Sequence, residues 1–457
     1  MRKPQQTRNQ QQPGGTEPGR RSPPQPAGLA TRQAAQRVVT AVLTQDRTLD
    51  AALVATDKLE PRDRAFVRLI AVTVLRRLGE LEAVLNSFIE RPLPKSSGPL
   101  RHILLVAAAQ LLTLETPPHA AISLAVDQAR ADRDARHFDK LANAVLRRVA
   151  TEGPAKMTGL DPIALNVPGW LMTRWQRHYG DEAARAIAEA QLREAPLDLT
   201  LKPDISASAW AERLGGTLLP TGSIRLMEAG RIEELAGFAE GAWWVQDVAA
   251  TLPARLLGAV AGLRVADLCA APGGKTAQLA SAGAKVTAVD NSEQRLKRLS
   301  ENLARLQLAA ETVVADVAQW QPATQFDAVL LDWPCTATGT VRRNPDILHL
   351  RRESDVAALA GIQHKLIEAT ARLVAPGGRL VACVCSLEPE EGPQQISRFL
   401  AHHPEFTREP VTPDEASGRL DWITPDGDLR TLPNHAPLPG TPGGMDGFYA
   451  TRLRRRP

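Results

Sequence analysis

The chain has 457 residues, of which 43% are hydrophobic and 23% charged, with a net charge of +4. That length is more than one hydrophobic core supports and implies about three domains, and the composition is that of an ordinary globular protein rather than a disordered or fibrous one. Four cysteines with no CxxC pair argue against a disulfide framework or a thiolate zinc site, so no metal is expected and a reducing, cytoplasmic setting is the default.

Residues 1–28 are rich in Gln, Pro, Gly and Arg and hold too little apolar surface to order themselves, so a disordered tail is expected. Arg2 and Lys3 are followed by no apolar run, which argues against a secretory signal. Across 29–152 apolar residues recur at three- and four-residue spacing, clearest at 65–75 and 100–114, which predicts an all-α bundle of four or five helices. Pro61 suits a helix start, and Pro92, Pro94, Pro117 and Pro118 separate further helices. The longest apolar stretch, 103–114, contains Gln110 and is too short to cross a bilayer, so it reads as a buried helix and no membrane partner is expected. Arg147 and Arg148 are read as closing the last helix, where cations oppose the dipole, or as contacting phosphates.

Pro and Gly at 153–164 mark a linker. Residues 160–236 then read as a small α/β module with a helix at 181–192 capped by Asp181, a strand at 197–202 and a helix at 206–214. Trp170 and Trp175 lie five apart on one helix and are expected to pack against a neighbour. From 237 to 457 short apolar β-type runs (263–268, 285–289, 312–314, 328–331, 379–384) alternate with helices such as 293–307 and 355–373. That alternation predicts a doubly wound, mostly parallel Rossmann-like sheet, and the fold class is α+β multidomain.

The first of those strands ends in Asp267-Leu-Cys269-Ala270-Ala271-Pro272-Gly273-Gly274-Lys275-Thr276. Two glycines let the backbone approach a ligand closely, and in open α/β sheets ligands bind at the carboxyl ends of the strands. The next strand ends at Asp290, 17 residues on (290 − 273), where an acid can accept hydrogen bonds from ribose hydroxyls. Asp316 ends the third strand and can meet an adenine edge. GxGxxG is absent, so a dinucleotide is poorly supported.

Two cysteines follow, in Asp332-Trp-Pro-Cys335 and Val384-Cys385-Ser386. Carbon 5 of a pyrimidine is a poor nucleophile, and a thiolate added at carbon 6 makes it reactive, splitting one hard step into easier ones. One thiol suffices for that attack, and the residues alone leave open which one makes it. Asp332 is positioned to bind the exocyclic amine or ring nitrogen of the base. Cys269 and Cys383, at a strand end and one step deeper than Cys385, read as inert core thiols.

The string around Gly273-Gly274, with Val289-Asp290-Asn-Ser-Glu-Gln-Arg295-Leu296, resembles the cofactor motifs of S-adenosylmethionine-dependent RNA (cytosine-5)-methyltransferases. Arg62-Asp-Arg-Ala-Phe66, Val74-Leu-Arg-Arg77, Pro117-Pro-His-Ala120 and Lys140-Leu-Ala-Asn-Ala-Val-Leu-Arg-Arg148 resemble the NusB-type RNA-binding helical domain. Together the matches span about residues 31–453 and resemble the bacterial RsmB/Sun/Fmu family, with 16S ribosomal RNA as implied substrate and S-adenosyl-L-methionine as implied cofactor.

The resemblance implies that Cys269, Ala270, Ala271, Pro272, Gly273, Gly274, Lys275, Asp290, Arg295, Asp316 and Asp332 form the cofactor site. It also implies that Cys385 is the nucleophile and Cys335 assists product release. Thr338-Gly-Thr-Val-Arg342-Arg343-Asn-Pro-Asp-Ile347 resembles the loop after Pro-Cys, and Arg342 and Arg343 are expected to contact phosphates. Val384 stands where a threonine is usual, Trp333 where a small residue is, and Lys202 where an arginine is; Trp333 is expected to narrow the pocket or stack on a base. A monomer is expected. Open alternatives are a transfer-RNA (cytosine-5)-methyltransferase and a non-catalytic RNA-binding factor.

Overall fold

The computed structural model describes residues 26–228 and 230–457, so the expectation for the tail falls outside the described residues up to 25. The helical domain comprises α1 (Leu29–Gln45), α2 (Leu49–Leu53), α3 (Pro61–Arg76), α4 (Leu78–Asn86), α5 (Leu100–Leu112), α6 (Pro118–Ala131) and α7 (Asp139–Thr158). Five of these are the long helices expected; α2 and α4 are short pieces that periodicity does not resolve. Pro61 and Pro118 each stand in the first turn of their helix, where no N–H partner is lost. Ile103, Leu104, Leu105, Val106 and Ala107 are consecutive in α5 and all buried, as befits a helix apolar around its whole circumference.

The expected linker at 153–164 is corrected. Helix α7 continues through Gly153 and Pro154 to Thr158. A Cβ on Gly153 would lie 2.8 Å from the Leu112 side chain, so the missing side chain is what lets α7 pack on α5. Tertiary packing here overrides the local breaking signal. Arg147 and Arg148 are therefore mid-helix and cap nothing; Arg148 pairs with Glu152 at 2.9 Å and lies over the Phe88 ring at 4.6 Å.

The chain then forms α8 (Pro162–Asn166), α9 (Gly169–Tyr179), α10 (Asp181–Gln191), β1 (Leu197–Leu201), α11 (Ala207–Leu214), β2 (Thr217–Leu218), β3 (Ile224–Leu226) and β4 (Trp243–Val245). Asp181 is the first residue of α10 and not its cap, a position taken by Gly180 at φ 82°. The four strands make an antiparallel sheet in the order β2-β3-β1-β4. Its last strand lies beyond residue 236, so the small sheet draws on chain that the sequence reading gave to the next domain. Trp175 is buried and Trp170 partly so, both belonging to one hydrophobic cluster that also holds Val341, Ile347 and Leu387 of the following domain.

That domain contains α12 (Val248–Arg255), β5 (Arg264–Leu268), α13 (Gly274–Ser281), β6 (Lys285–Asp290), α14 (Glu293–Arg305), β7 (Glu311–Val314) and β8 (Phe326–Asp332). It continues with α15 (Ile347–Leu350), α16 (Glu353–Ala371), β9 (Val374–Val384), α17 (Pro393–His402), β10 (Phe406–Arg408), β11 (Leu429–Thr431) and β12 (Phe448–Arg455). The main sheet runs β10-β12-β9-β8-β5-β6-β7, with β11 on β12. Strands β5 to β9 are parallel and β12 is antiparallel to β9. After β7 the chain crosses back to β8, so β5 and β8 flank the point where strand order reverses, the place where such sheets bind ligands.

The helical domain docks on the loop before α16. Leu49 donates its N–H to Asp346 Oδ2 at 2.9 Å, His349 Nε2 lies 2.7 Å from the Leu75 carbonyl, and Arg76 donates to the Arg342 carbonyl at 2.9 Å. Among the described residues no helix is long and apolar enough to cross a membrane.

Candidate active site

Strands β8 and β9 are hydrogen-bonded neighbours with Asp332 opposite Cys383. Their carboxyl ends lead directly to Cys335 and Cys385, which is why two thiols 50 residues apart have their Sγ atoms 3.5 Å from each other. Both cysteines are partly exposed, whereas Cys383 is fully buried. Its hydrogen bond to Cys385, and then burial, push the Cys335 thiol well above its ordinary value, so it is held protonated. Burial also pushes up Cys383, whose sulfur donates to Asp332 Oδ1 at 3.6 Å, and drives Cys269 up to about 12. Burial thereby holds both of those thiols in the protonated form at neutral pH.

Lys275, in the first turn of α13, reaches across the switch point to Asp332 Oδ2 at 2.8 Å and lies 4.9 Å from the centre of the Phe448 ring. Burial disfavours its charge, but the Asp332 carboxylate more than offsets this and holds the ammonium above its ordinary value. Beneath it Asp267 is buried and accepts from the Thr276 hydroxyl, and burial pushes its carboxyl up to about 7.

The turn from Cys269 to Gly274 follows β5 with two left-handed residues, Cys269 at φ 59° and Gly273 at φ 104°. A Cβ on Gly273 would lie 2.7 Å from Leu299, and Gly274 leaves its backbone open beside Gln246. Asp290 is buried under this turn: Oδ2 accepts from the Ala271 N–H at 3.2 Å and Oδ1 from Ser292 at 3.0 Å. Arg295 donates to the Ala271 carbonyl at 2.7 Å, so it braces the turn from outside. Asp316 is exposed after β7, where its carboxylate caps the Ala318 N–H at 3.0 Å. A turn at the carboxyl edge whose last two residues, Gly273 and Gly274, lack a Cβ, backed by acids at the ends of successive strands, fits a nucleoside-bearing cofactor.

Arg342 does not face solvent phosphates, whereas the Arg343 side chain is 35% exposed. Arg342 is 1% exposed and pairs with Asp247 and with Asp446 at 3.1 Å; Arg343 pairs with Asp446. Burial opposes the ionisation of Asp247, but the two arginines more than offset it and hold its carboxyl below the usual range. These guanidiniums lock 443–446 to the loop after Cys335. Trp333 is also corrected: it is 2% exposed, packs in the core and donates Nε1–H to the Glu391 carbonyl at 3.0 Å, so it neither lines a pocket nor stacks on a base.

The sequence reading missed the polar shell behind the thiols. Glu391 accepts from the Thr336 N–H at 2.9 Å and from Gln363 at 3.0 Å, and also binds the hydroxyls of Thr336 and Ser386. Arg351 donates to the carbonyls of Thr336 at 3.2 Å and Cys335 at 3.4 Å. Arg174, on α9, pairs with Glu388 and Glu390. The available signal was the acidic run Glu388-Pro-Glu-Glu391 directly behind Val-Cys-Ser, a placement that favours hidden partners over a solvated face.

The doubly wound sheet with a glycine-rich turn at its switch point, taken with the family matches that follow, is that of an S-adenosyl-L-methionine-dependent methyltransferase, here joined to a NusB-type helical domain. The family described as 16S rRNA methyltransferase RsmB/F matches residues 254–454, and the NusB family matches residues 29–151. The chain is 38% identical over 405 residues to ribosomal RNA small subunit methyltransferase B of Xanthomonas campestris, covering 84% of this chain and 91% of that one. It is 35% identical to the Vibrio cholerae protein of the same name, covering 94% and 98%. The chain belongs to this methyltransferase family. Among solved structures, PH0851 superposes with a TM-score of 0.72 at 23% identity, covering 93% of this chain and 99% of that one, a likeness of fold. A methyltransferase homolog from Pyrococcus horikoshii gives 0.52 at 25% identity over 65% of this chain and 96% of that one.

Proposed function

We propose that this chain methylates carbon 5 of a cytosine in 16S ribosomal RNA through a covalent adduct with Cys385, in the cytoplasm and as a monomer. The substrate class follows the names of its relatives, which are small-subunit ribosomal RNA methyltransferases. The observation that carries the chemistry is the 3.5 Å approach of the Cys335 and Cys385 sulfurs beside the Lys275–Asp332 pair.

In this reading Cys385 adds as a thiolate to carbon 6, and the displaced electron pair makes carbon 5 nucleophilic. Asp332 binds the amine or ring nitrogen, while Lys275 balances the charge that builds on the ring. The cofactor, cradled by residues 269–275 with Asp290, Arg295 and Asp316 around it, supplies an electrophilic methyl on a sulfonium. Loss of the carbon 5 proton then returns the electron pair of the carbon–sulfur bond to Cys385. Cys335 is the group in hydrogen-bond reach of that sulfur and handles the proton there. The target base must be unpaired or flipped for a side chain to reach carbon 6.

Tritiated methyl transfer to unmodified 16S RNA, with mass mapping of the product, tests this. Cys385→Ser is expected to give neither transfer nor adduct. Cys335→Ser is expected to accumulate a denaturation-resistant protein–RNA complex. Swapped outcomes reverse the two roles; methylation confined to transfer RNA, or none under any condition, refutes the substrate or the activity.

A further inference from the structure

Glu391 takes no part in the chemistry above, yet its side chain is fully buried directly behind both thiols. Thr336 follows Cys335 and Ser386 follows Cys385, and the one carboxylate holds both. It accepts the Thr336 N–H at 2.9 Å, the Thr336 hydroxyl and the Ser386 hydroxyl, and a fourth donor, Gln363 Nε2, at 3.0 Å. The two hydroxyls also lie 3.1 Å apart, so the three side chains form one closed network. A buried carboxylate is retained only where donors satisfy it, and here every one but Gln363 belongs to a residue next to a site cysteine.

The main chain of Glu391 is fixed as well. Its carbonyl accepts the Trp333 indole N–H at 3.0 Å, so the bulky residue before Pro334-Cys335 serves as an anchor. Gln363, from α16, also donates to the Pro334 carbonyl at 2.9 Å and closes the clamp on the β8 side.

We propose that Glu391 is a positioning residue that sets the spacing of the Cys335 and Cys385 sulfurs by tying Thr336 to Ser386, with Trp333 locking its backbone. The catalytic consequence rests on the two-thiol reading; the spacing itself does not.

Oxidative cross-linking of the full chain reads the spacing without RNA. A diazenedicarboxamide takes one hydrogen from each thiol, becomes a hydrazine and leaves a Cys335–Cys385 disulfide, seen as a loss of two hydrogens in the intact mass. Glu391→Ala is expected to slow this disulfide formation and to lower kcat for methyl transfer, each by about 10²-fold, the scale of a displacement of about 1 Å, with KM for RNA little changed. Glu391→Gln keeps an acceptor for the Thr336 N–H and an amide able to donate to a hydroxyl, and should restore both rates to within about threefold, a change of roughly 0.6 kcal/mol. A folded Glu391→Ala protein with wild-type disulfide rate and wild-type kcat overturns the proposal. Should Glu391→Ala not fold, Trp333→Phe, which removes only the indole donor, carries the test, and unchanged rates in that variant overturn it. A disulfide rate that depends on Glu391 in a protein that never methylates RNA would sink the functional reading and leave the clamp standing.

Discussion

Arg342→Met separates two accounts of one residue. The arginine is 1% exposed and faces the carboxylates of Asp247 and Asp446, which are 1% exposed or less on their side chains. Removing one partner of a buried ionic cluster leaves charge uncompensated and costs about 3–5 kcal/mol. Arg343 still touches Asp446, but Asp247 loses its direct cation. For a domain of about 200 residues each kcal/mol moves the melting temperature by roughly 2–4 °C, so a fall of about 6–20 °C is expected. Differential scanning calorimetry of the full chain reads this directly, in the transition of the catalytic domain. A phosphate contact would behave otherwise: the melting temperature would hold, and the slope of log binding constant against log salt would shrink by about 1. That second pattern would refute the assignment of Arg342 to the interior.

Gly273→Ala forces a side chain into φ 104° with its Cβ 2.7 Å from Leu299, so the turn must shift; isothermal titration should show S-adenosyl-L-methionine binding weakened by about tenfold or more, at roughly 1.4 kcal/mol per decade. Lys275→Met deletes the cation beside Asp332, and single-turnover methyl transfer should slow by about 10²-fold, the usual scale for a lost electrostatic contact. In the helical domain, burial lowers His102 from 6.5 to about 4, so the folded state keeps it neutral while the unfolded chain takes up a proton. Its stabilisation is complete above pH 6.5 and is lost as pH falls toward 4, whereas His102→Gln should flatten the melting temperature of that domain across the same interval.

The parallel strands were legible because strands covered on both faces read as near-continuous apolar runs. Residues 263–268, 285–289 and 328–331 were read as such runs alternating with helices, and the strands they form are parallel as expected. Local punctuation was legible at Pro61, which starts its helix as expected, and the helix read from 206 begins one residue later with Ser206 as its cap. It failed at Gly153 and Pro154, where packing on Leu112 keeps the helix going. Charge was the harder signal. Arg342 looked like a phosphate ligand because its partners, Asp247 and Asp446, are 95 and 104 residues away in sequence. Glu391 drew no reading from its sequence neighbours, since Thr336 lies 55 residues before it. The neighbouring of β8 and β9 brings Thr336 to Glu391, while Asp247 before α12 and Asp446 before β12 reach Arg342 only through the packing of those elements.

The same neighbouring sorts the cysteines by depth. Successive side chains of a strand alternate faces, so Cys383 and Cys385 point the same way, one repeat apart. Cys383 still lies within β9, opposite Asp332, where burial keeps its thiol protonated. Cys385 falls just past the strand end and is partly exposed, as is Cys335 three residues beyond the end of β8. Moving the β9 register by a single residue would turn position 385 to the opposite face and part the sulfurs. Beyond the ladder's last bonds the two loops are tied by the Gly339 N–H, which donates to the Cys385 carbonyl at 3.0 Å, and behind the sulfurs by the carboxylate of Glu391, which reaches both Thr336 and Ser386. Strand register selects which thiols meet, and the buried acid behind them decides how closely.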